Sequence, residues 1–421
     1  MDNEEIKETK KRRKLRWKWI AIVAAILIVT NFAAFFVGTK AAMAIPGMGV
    51  SNKDIAKSLE GISDVSKFKK LFQVRDVLYK LYDGEINEDT LVEGAIKGMT
   101  NSLNDPYTVF MNKKEFSDFN ERNEGNYVGV GLQVAAKDED IVVIAVFNDS
   151  PAEKAGIKPG DKIKKVAGTD VGGKDLEKAV ALMKNGKAKE KVDMTLYREG
   201  KGLYTTEVYR DTIVMQTVAG EMIEGNIGYI QISMFDEHTG DAFTKKLQEL
   251  KDSGAKGIIL DLRQNPGGLL KECINVVSNF VEKDKVITST IDKYNKETKY
   301  NSKGGIAIGM PLVVLTDENT ASASEIVAGA VRDYDIGTLI GTTTFGKGVV
   351  QTVLGMDEGT GLKVTISKYY TPNGENIHKK GIAPHIEVTI PKEIQEKGLT
   401  RSNDPQFNKA LEAIKDKIGG F

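Results

Sequence analysis

The run Gly257-Ile258-Ile259-Leu260 has no polar position before Asp261-Leu262. A strand that wets one face alternates apolar and polar residues, so a strand apolar at every position must be covered on both faces, as in a parallel sheet flanked by helices. Pro311-Leu312-Val313-Val314-Leu315 repeats the feature, Ile227-Gly228-Tyr229-Ile230-Gln231-Ile232 reads as another strand, and Thr239 to Ser253 reads as an intervening helix. This order predicts an α/β layer structure with crossover helices over residues 209–391. No internal repeat is apparent.

The remainder divides by pattern. At 421 residues the chain is long enough for two or three domains at roughly 150 residues each. In residues 51–118, Leu71, Val74, Val77, Leu78 and Leu81, then Leu91, Ala95, Ile96, Met99 and Leu103, recur at helical spacing. Residues 119–208 are rich in short β runs and glycine turns. Residues 392–421 hold a last amphipathic helix with Phe407, Leu411, Ile414 and Ile418 on one face. That helix and residues 51–118 are candidates for homodimerisation or for packing within the chain.

The amino terminus is different. Residues 1–18 carry eight Lys/Arg against four acids and precede an uncharged apolar run from Trp19 to Thr39. Twenty-one helical residues rise about 31 Å, enough for the hydrocarbon core of a bilayer. The expectation is a single-pass membrane anchor with its basic flank in the cytoplasm and everything after Lys40 extracytoplasmic. A cleaved signal peptide ending at Ala42-Met43-Ala44 and a buried core helix are the competing readings.

Composition removes several functions. Lys+Arg and Asp+Glu are both 59, so no net field gathers nucleic acid. Cys273 is the only cysteine, and three histidines with no short paired spacing except the seven-residue gap from His378 to His385 make a metal centre unexpected. No metal and no cofactor is expected.

Four motifs carry the chemistry. Tyr127-Val128-Gly129-Val130-Gly131 precedes a strand, and Ser150-Pro151-Ala152-Glu153-Lys154-Ala155-Gly156-Ile157 and Gly160-Asp161-Lys162-Ile163 follow. The combination resembles a PDZ domain, which implies β-augmentation by a peptide carboxy terminus, its carboxylate held by backbone N–H groups near Val128 to Gly131. Ser322 stands where the strand Pro311 to Thr316 gives way to a helix, at the positive end of the helix dipole. A serine there suits nucleophilic attack, and Ser322-x-x-Glu325 equally fits a capping box. Lys347 lies among glycines and apolar residues with no acid between Asp335 and Asp357, the setting in which desolvation can lower a lysine pKa enough for it to act as a base. Asn265-Pro266-Gly267-Gly268 follows the apolar strand, where paired glycines let the backbone approach a ligand.

Asp261-Leu262-Arg263-Gln264-Asn265-Pro266-Gly267-Gly268, Thr320-Ala321-Ser322-Ala323-Ser324-Glu325-Ile326 and Phe345-Gly346-Lys347-Gly348-Val349-Val350-Gln351, placed after a PDZ-like domain, resemble the carboxy-terminal processing peptidases, which are Ser/Lys serine peptidases. Asp105-Pro106-Tyr107 and Tyr369-Tyr370-Thr371-Pro372-Asn373-Gly374 extend the likeness. It implies that Ser322 is the nucleophile, that Lys347 is the general base, and that Gln351 orients the lysine amine. It also implies oxyanion donors from the backbone of Ala323 and of the Gly267/Gly268 pair. Protein or peptide substrates with free carboxy termini follow from the PDZ likeness. One departure stands out: where many relatives carry Arg-Gly-x-x-Gly, this chain has Lys184-Asn185-Gly186-Lys187-Ala188. Lysine offers a point charge without bidentate geometry, which weakens the expectation that the PDZ domain controls the site.

Three rivals stand beside this reading. A penicillin-binding or β-lactamase-like enzyme would use Ser-x-x-Lys, present at Ser66 to Lys69 and Ser253 to Lys256, but its Ser-Asp-Asn and Lys-Thr-Gly companions are absent. A Ser-His-Asp hydrolase lacks a Gly-x-Ser-x-Gly elbow. A catalytically silent, membrane-tethered PDZ scaffold predicts no role for Ser322 or Lys347.

Overall fold

The computed structural model describes residues 65–419. The expected basic tail (1–18), the apolar span (19–39) and the Ala42-Met43-Ala44 site lie outside the described residues. Among the described residues no helix is long and apolar enough to cross a membrane. The chain divides into a unit ending at Glu88 and a larger one from Asp89 to Phe421. In the first, a 3-10 turn leads into α1 (Lys69–Leu81), as the spacing of Leu71, Val74, Val77 and Leu81 predicts, and Arg75 donates to both Glu88 carboxylate oxygens at 2.8 and 3.0 Å.

After α2 (Glu88–Asn101) come β1 (Val109–Met111) and α3 (Lys113–Glu124). Asn112 caps α3 in a reciprocal box with Glu115, and Gly125 ends it in the left-handed conformation. This helix occupies the start of the segment read as β-rich from residue 119. Its apolar content is low, and the cap rather than periodicity identifies it.

The β-rich region follows with β2 (Asn126–Gly129), β3 (Leu132–Lys137), β4 (Asp140–Val146), α4 (Pro151–Lys154), β5 (Lys162–Val166), β6 (Thr169–Asp170), α5 (Leu176–Lys184), β7 (Lys191–Arg198) and β8 (Gly202–Tyr209). Its sheet runs β3-β4-β5-β7-β8 with β6 on β5, so β3 is an edge. The run Tyr127 to Val134, continuous in sequence, breaks at Val130-Gly131. β2 leaves this sheet to pair with β9 (Asp211–Val214). Ile141, Ile163, Met194 and Leu196, all fully buried, form the core.

The last region contains β10 (Val218–Ile223), β11 (Ile227–Ile232), α6 (Thr239–Asp252), β12 (Gly257–Asp261), α7 (Leu270–Ser278), β13 (Val286–Asp292), β14 (Glu297–Asn301), β15 (Leu312–Thr316), α8 (Ala323–Asp333), β16 (Thr338–Gly341), β17 (Val349–Gly355), β18 (Gly361–Tyr370), β19 (Ile386–Glu387), α9 (Lys392–Lys397) and α10 (Pro405–Gly419). One sheet has the order β10-β11-β12-β15-β16-β19, parallel except at the β10 edge. Every residue of β12 and β15 is buried, because the sheet is covered on both faces. Ile258, Leu260, Leu312 and Val314 join the core under α6, α7 and α8. Their neighbours Ile259, Val313 and Leu315 meet Phe407, Ala410 and Ile414 of α10. The carboxy-terminal helix therefore packs on its own domain, and each fully buried aliphatic side chain contributes about 1.5–3 kcal/mol. A second sheet, β1-β18-β13-β14 with β17 on β18, is antiparallel. It goes unanticipated in the sequence because β1 and β18 are distant in the chain and mixed in polarity.

Candidate active site

β12, β15 and β16 are parallel neighbours, so the loops after them emerge from one edge of the sheet, where open α/β sheets bind ligands. The first loop holds Gly267 and Gly268, the second ends at Ser322, and the third carries Lys347. Side-chain and backbone bonds fasten them together. Gln264 donates its N–H to Asp317 at 3.0 Å, Ala321 N–H and Ser324 Oγ donate to Asn265 O at 3.0 and 3.1 Å, and Phe345 N–H donates to Thr320 O at 3.0 Å.

Ser322 sits immediately before α8 with φ 56° and ψ −112°. A non-glycine residue there is strained by about 1–3 kcal/mol and persists only when its surroundings over-determine it. Those surroundings are visible. A Cβ on Gly267, itself at φ 100°, would lie 2.9 Å from both Ser322 Cβ and Ala323 N and 2.8 Å from Ala321 O, so only glycine lets the two loops approach this closely. Gly268, at φ 143°, is equally constrained, since a Cβ would reach within 2.1 Å of Phe235 O.

Glu325, unremarked in the sequence except as a cap, is fully buried and holds the site together. Its Oε2 accepts the N–H groups of Ser322 and Lys347, both at 2.8 Å; its Oε1 accepts Thr344 Oγ1 at 2.6 Å and Gly346 N–H at 2.7 Å. One carboxylate oxygen thus fixes the backbones of both candidate catalytic residues. The sequence offered one hint, a lone acid in the otherwise small and apolar run Ala323 to Val331, and the structure buries that whole run, so the acid must have internal donors. Tyr369, also buried, donates its hydroxyl to Ser322 O at 3.3 Å.

The Lys347 amine stands 4.9 Å from the centre of the Tyr107 ring, and among the described residues it has no ion-pair partner. Burial, and next the neighbouring Lys363 charge, bring its pKa down to about 8, against the opposing pull of Glu325 and Asp105. The sequence showed no nearby acid because both lie far away along the chain. No hydrogen bond joins Lys347 Nζ to Ser322 or Gln351 in this arrangement; Gln351, on β17, directs its amide at Thr365 Oγ1, 3.4 Å away.

Of the three amides expected as oxyanion donors, Gly267 N–H is engaged by Asn265 Oδ1 at 2.9 Å. Those of Gly268 and Ala323 meet no acceptor among the described residues. These two remain as the candidate oxyanion donors.

The other predicted residues lie in the β-rich domain. Tyr127, Val128 and Gly129 are in β2, and Val130 and Gly131 form the turn into the β3 edge, Gly131 at φ 79°. Lys184, at the end of α5, contacts Glu121 of α3 at 2.5 Å and lies over the Tyr127 ring at 5.1 Å.

A PDZ fold ahead of a parallel α/β layer with a strained serine at a helix start defines a PDZ-containing serine peptidase. Comparison agrees. Residues 226–388 match the model for Peptidase family S41, 128–207 that for the PDZ domain, and 27–115 that for the activating protease CtpB N-terminal domain. Over 380 residues the chain is 38% identical to the carboxy-terminal processing protease CtpA of Bacillus subtilis (strain 168), covering 90% of this chain and 78% of the relative. It is 37% identical to CtpB of the same organism over 326 residues, 76% and 68% of the two chains. A solved putative S41 protease from Bacteroides fragilis NCTC 9343 shares the fold at 17% identity, with a TM-score of 0.52 over 81% of this chain and 93% of that one. The chain belongs to peptidase family S41, among the carboxy-terminal processing proteases.

Proposed function

We propose that this chain is a Ser/Lys endopeptidase that captures polypeptide carboxy termini on its PDZ domain and cleaves nearby, held to a membrane by residues 19–39 with its catalytic region extracytoplasmic. The observation that carries the reading is a lysine amine with no ion-pair partner among the described residues, its pKa lowered to about 8, whose backbone is pinned with that of Ser322 to one oxygen of Glu325.

The chemistry follows. Ser322 Oγ attacks the scissile carbonyl while its proton passes to Lys347 Nζ, and the tetrahedral oxyanion is received by the Ala323 and Gly268 amides. Collapse breaks the C–N bond, and Lys347 returns the proton to the leaving amine. The same amine then deprotonates the water that hydrolyses the acyl-enzyme. For the first transfer the amine leaves the Tyr107 face, and Gln351 swings from Thr365 to orient it. The β3 edge supplies the strand-pairing surface and the Val128 to Gly131 segment the amides for the terminal carboxylate. Leu132 and Val134 of β3 and Leu176 and Val180 of α5 are only partly buried against the domain core, which is compatible with an apolar carboxy terminus beside β3.

Digestion of an unstructured protein with an apolar carboxy terminus tests this. Ser322→Ala and Lys347→Ala are each expected to lower the rate by a factor on the order of 10⁴ or more. Equal proteolysis by all three proteins would eliminate the dyad, and binding without cleavage by the unaltered chain would favour a silent PDZ scaffold.

A further inference from the structure

Between α2, α3, β1 and β18 lies a cavity of about 450 Å³ that the chemistry above does not use. Val109, Phe110 and Phe119 give it apolar walls, and its charged groups are unequally matched. Lys97 bonds Glu93 at 2.7 Å and Glu115 at 2.9 Å, and Asp118 bonds Lys114 at 2.8 Å, so the acids of the wall already have partners. Two lining cations do not. Among the described residues Arg122 donates to the backbone oxygen of Asp118, at 3.1 Å, and makes no ion pair. Lys363, half-buried on β18, has no acid within ion-pair distance among the described residues and rests 5.6 Å from the centre of the Phe119 ring.

A half-buried ammonium such as that of Lys363 is costly to hold without an ion-pair partner, and an anion in the cavity would relieve it, with the exposed Arg122 guanidinium at the rim as a second donor. We propose that this cavity binds a carboxylate side chain of the polypeptide substrate, held by Lys363 and Arg122. Its place beside the candidate site favours a substrate group: Lys363 stands on β18 opposite Val353 of β17, the strand that follows Lys347 and carries Gln351. A carboxylate seated there would give the peptidase a preference for an acidic residue at a fixed distance from the cut. The proposal rests on the peptidase reading for its ligand but not on the identity of the nucleophile.

The test uses the full chain carrying Ser322→Ala, so that nothing is turned over, titrated calorimetrically with peptides of identical carboxy terminus in which single Asp or Glu residues are replaced by Asn or Gln. At one position the acidic peptide should bind about tenfold tighter, as expected for one charge-assisted contact. Lys363→Met and, separately, the exposed Arg122→Gln should each abolish the difference while retaining binding of the amide peptide, which shows that they are folded. Inorganic phosphate should compete with the acidic peptide. Phosphate binding that depends on Lys363, with no difference between peptides, would overturn the substrate assignment in favour of a small free anion. Equal peptide affinities and no phosphate binding would overturn the site itself. Retained proteolysis by Lys347→Ala would count against the dyad and leave this result untouched.

Discussion

Glu325 shows how much one side chain decides here. Each of its oxygens accepts two donors, and a glutamine in its place would present an N–H₂ group to at least one pair, leaving a buried amide or hydroxyl without an acceptor at a cost of about 1–3 kcal/mol. Glu325→Gln should therefore lower the melting temperature and reduce kcat more than KM, because the Ser322 and Lys347 backbones are no longer held together. Its charge matters separately. The acid raises the Lys347 pKa, so removing it should move the acidic limb of the pH–rate profile downward from about 8. The sign is fixed by the role of the amine: below its pKa it carries a proton and cannot accept one from Ser322, so activity rises with pH through that limb. An unchanged limb would show that Glu325 acts on geometry alone.

At the scale of elements, the site is assembled by three strand-to-loop junctions, and the glycines mark where they touch. Gly268→Ala places a methyl group 2.1 Å from Phe235 O at a φ of 143° that other residues rarely adopt. It should lower stability by about 1–3 kcal/mol and kcat together, measured by denaturant unfolding and turnover. The Asn-Pro-Gly-Gly turn and the helix after Ser322 were legible in the sequence because glycine spacing and the change from strand to helix are local. The second sheet was not, because β1 pairs with β18 across most of the chain and neither strand alternates cleanly. Nor was the α3 contact of Lys184: its single oxygen contact with Glu121 fits the point charge expected of lysine, but the partner lies on a helix that sequence pattern had assigned to the β-rich region.

At the scale of the molecule, the proposed anchor makes a prediction that the folded domains do not. In intact cells a tag after Phe421 should be cut by externally added protease and remain with the membrane fraction after alkaline washing, whereas a chain cleaved after Ala44 would be released. The sequence alone determined that a PDZ domain precedes an S41 peptidase domain and that the latter is built on a parallel sheet, and it singled out the residues for which the chemistry is proposed, since strand period, turn glycines and motif spacing are written along the chain. Tertiary structure alone decided that Glu325 ties Ser322 to Lys347, that Tyr107 faces the amine, that Gly267 already has a partner for its N–H, and that Lys363 and Arg122 share a cavity. Each depends on burial and on distances between residues remote in sequence, and desolvation, which sets both the lysine pKa and the need for a counter-charge, exists only once the chain has excluded water.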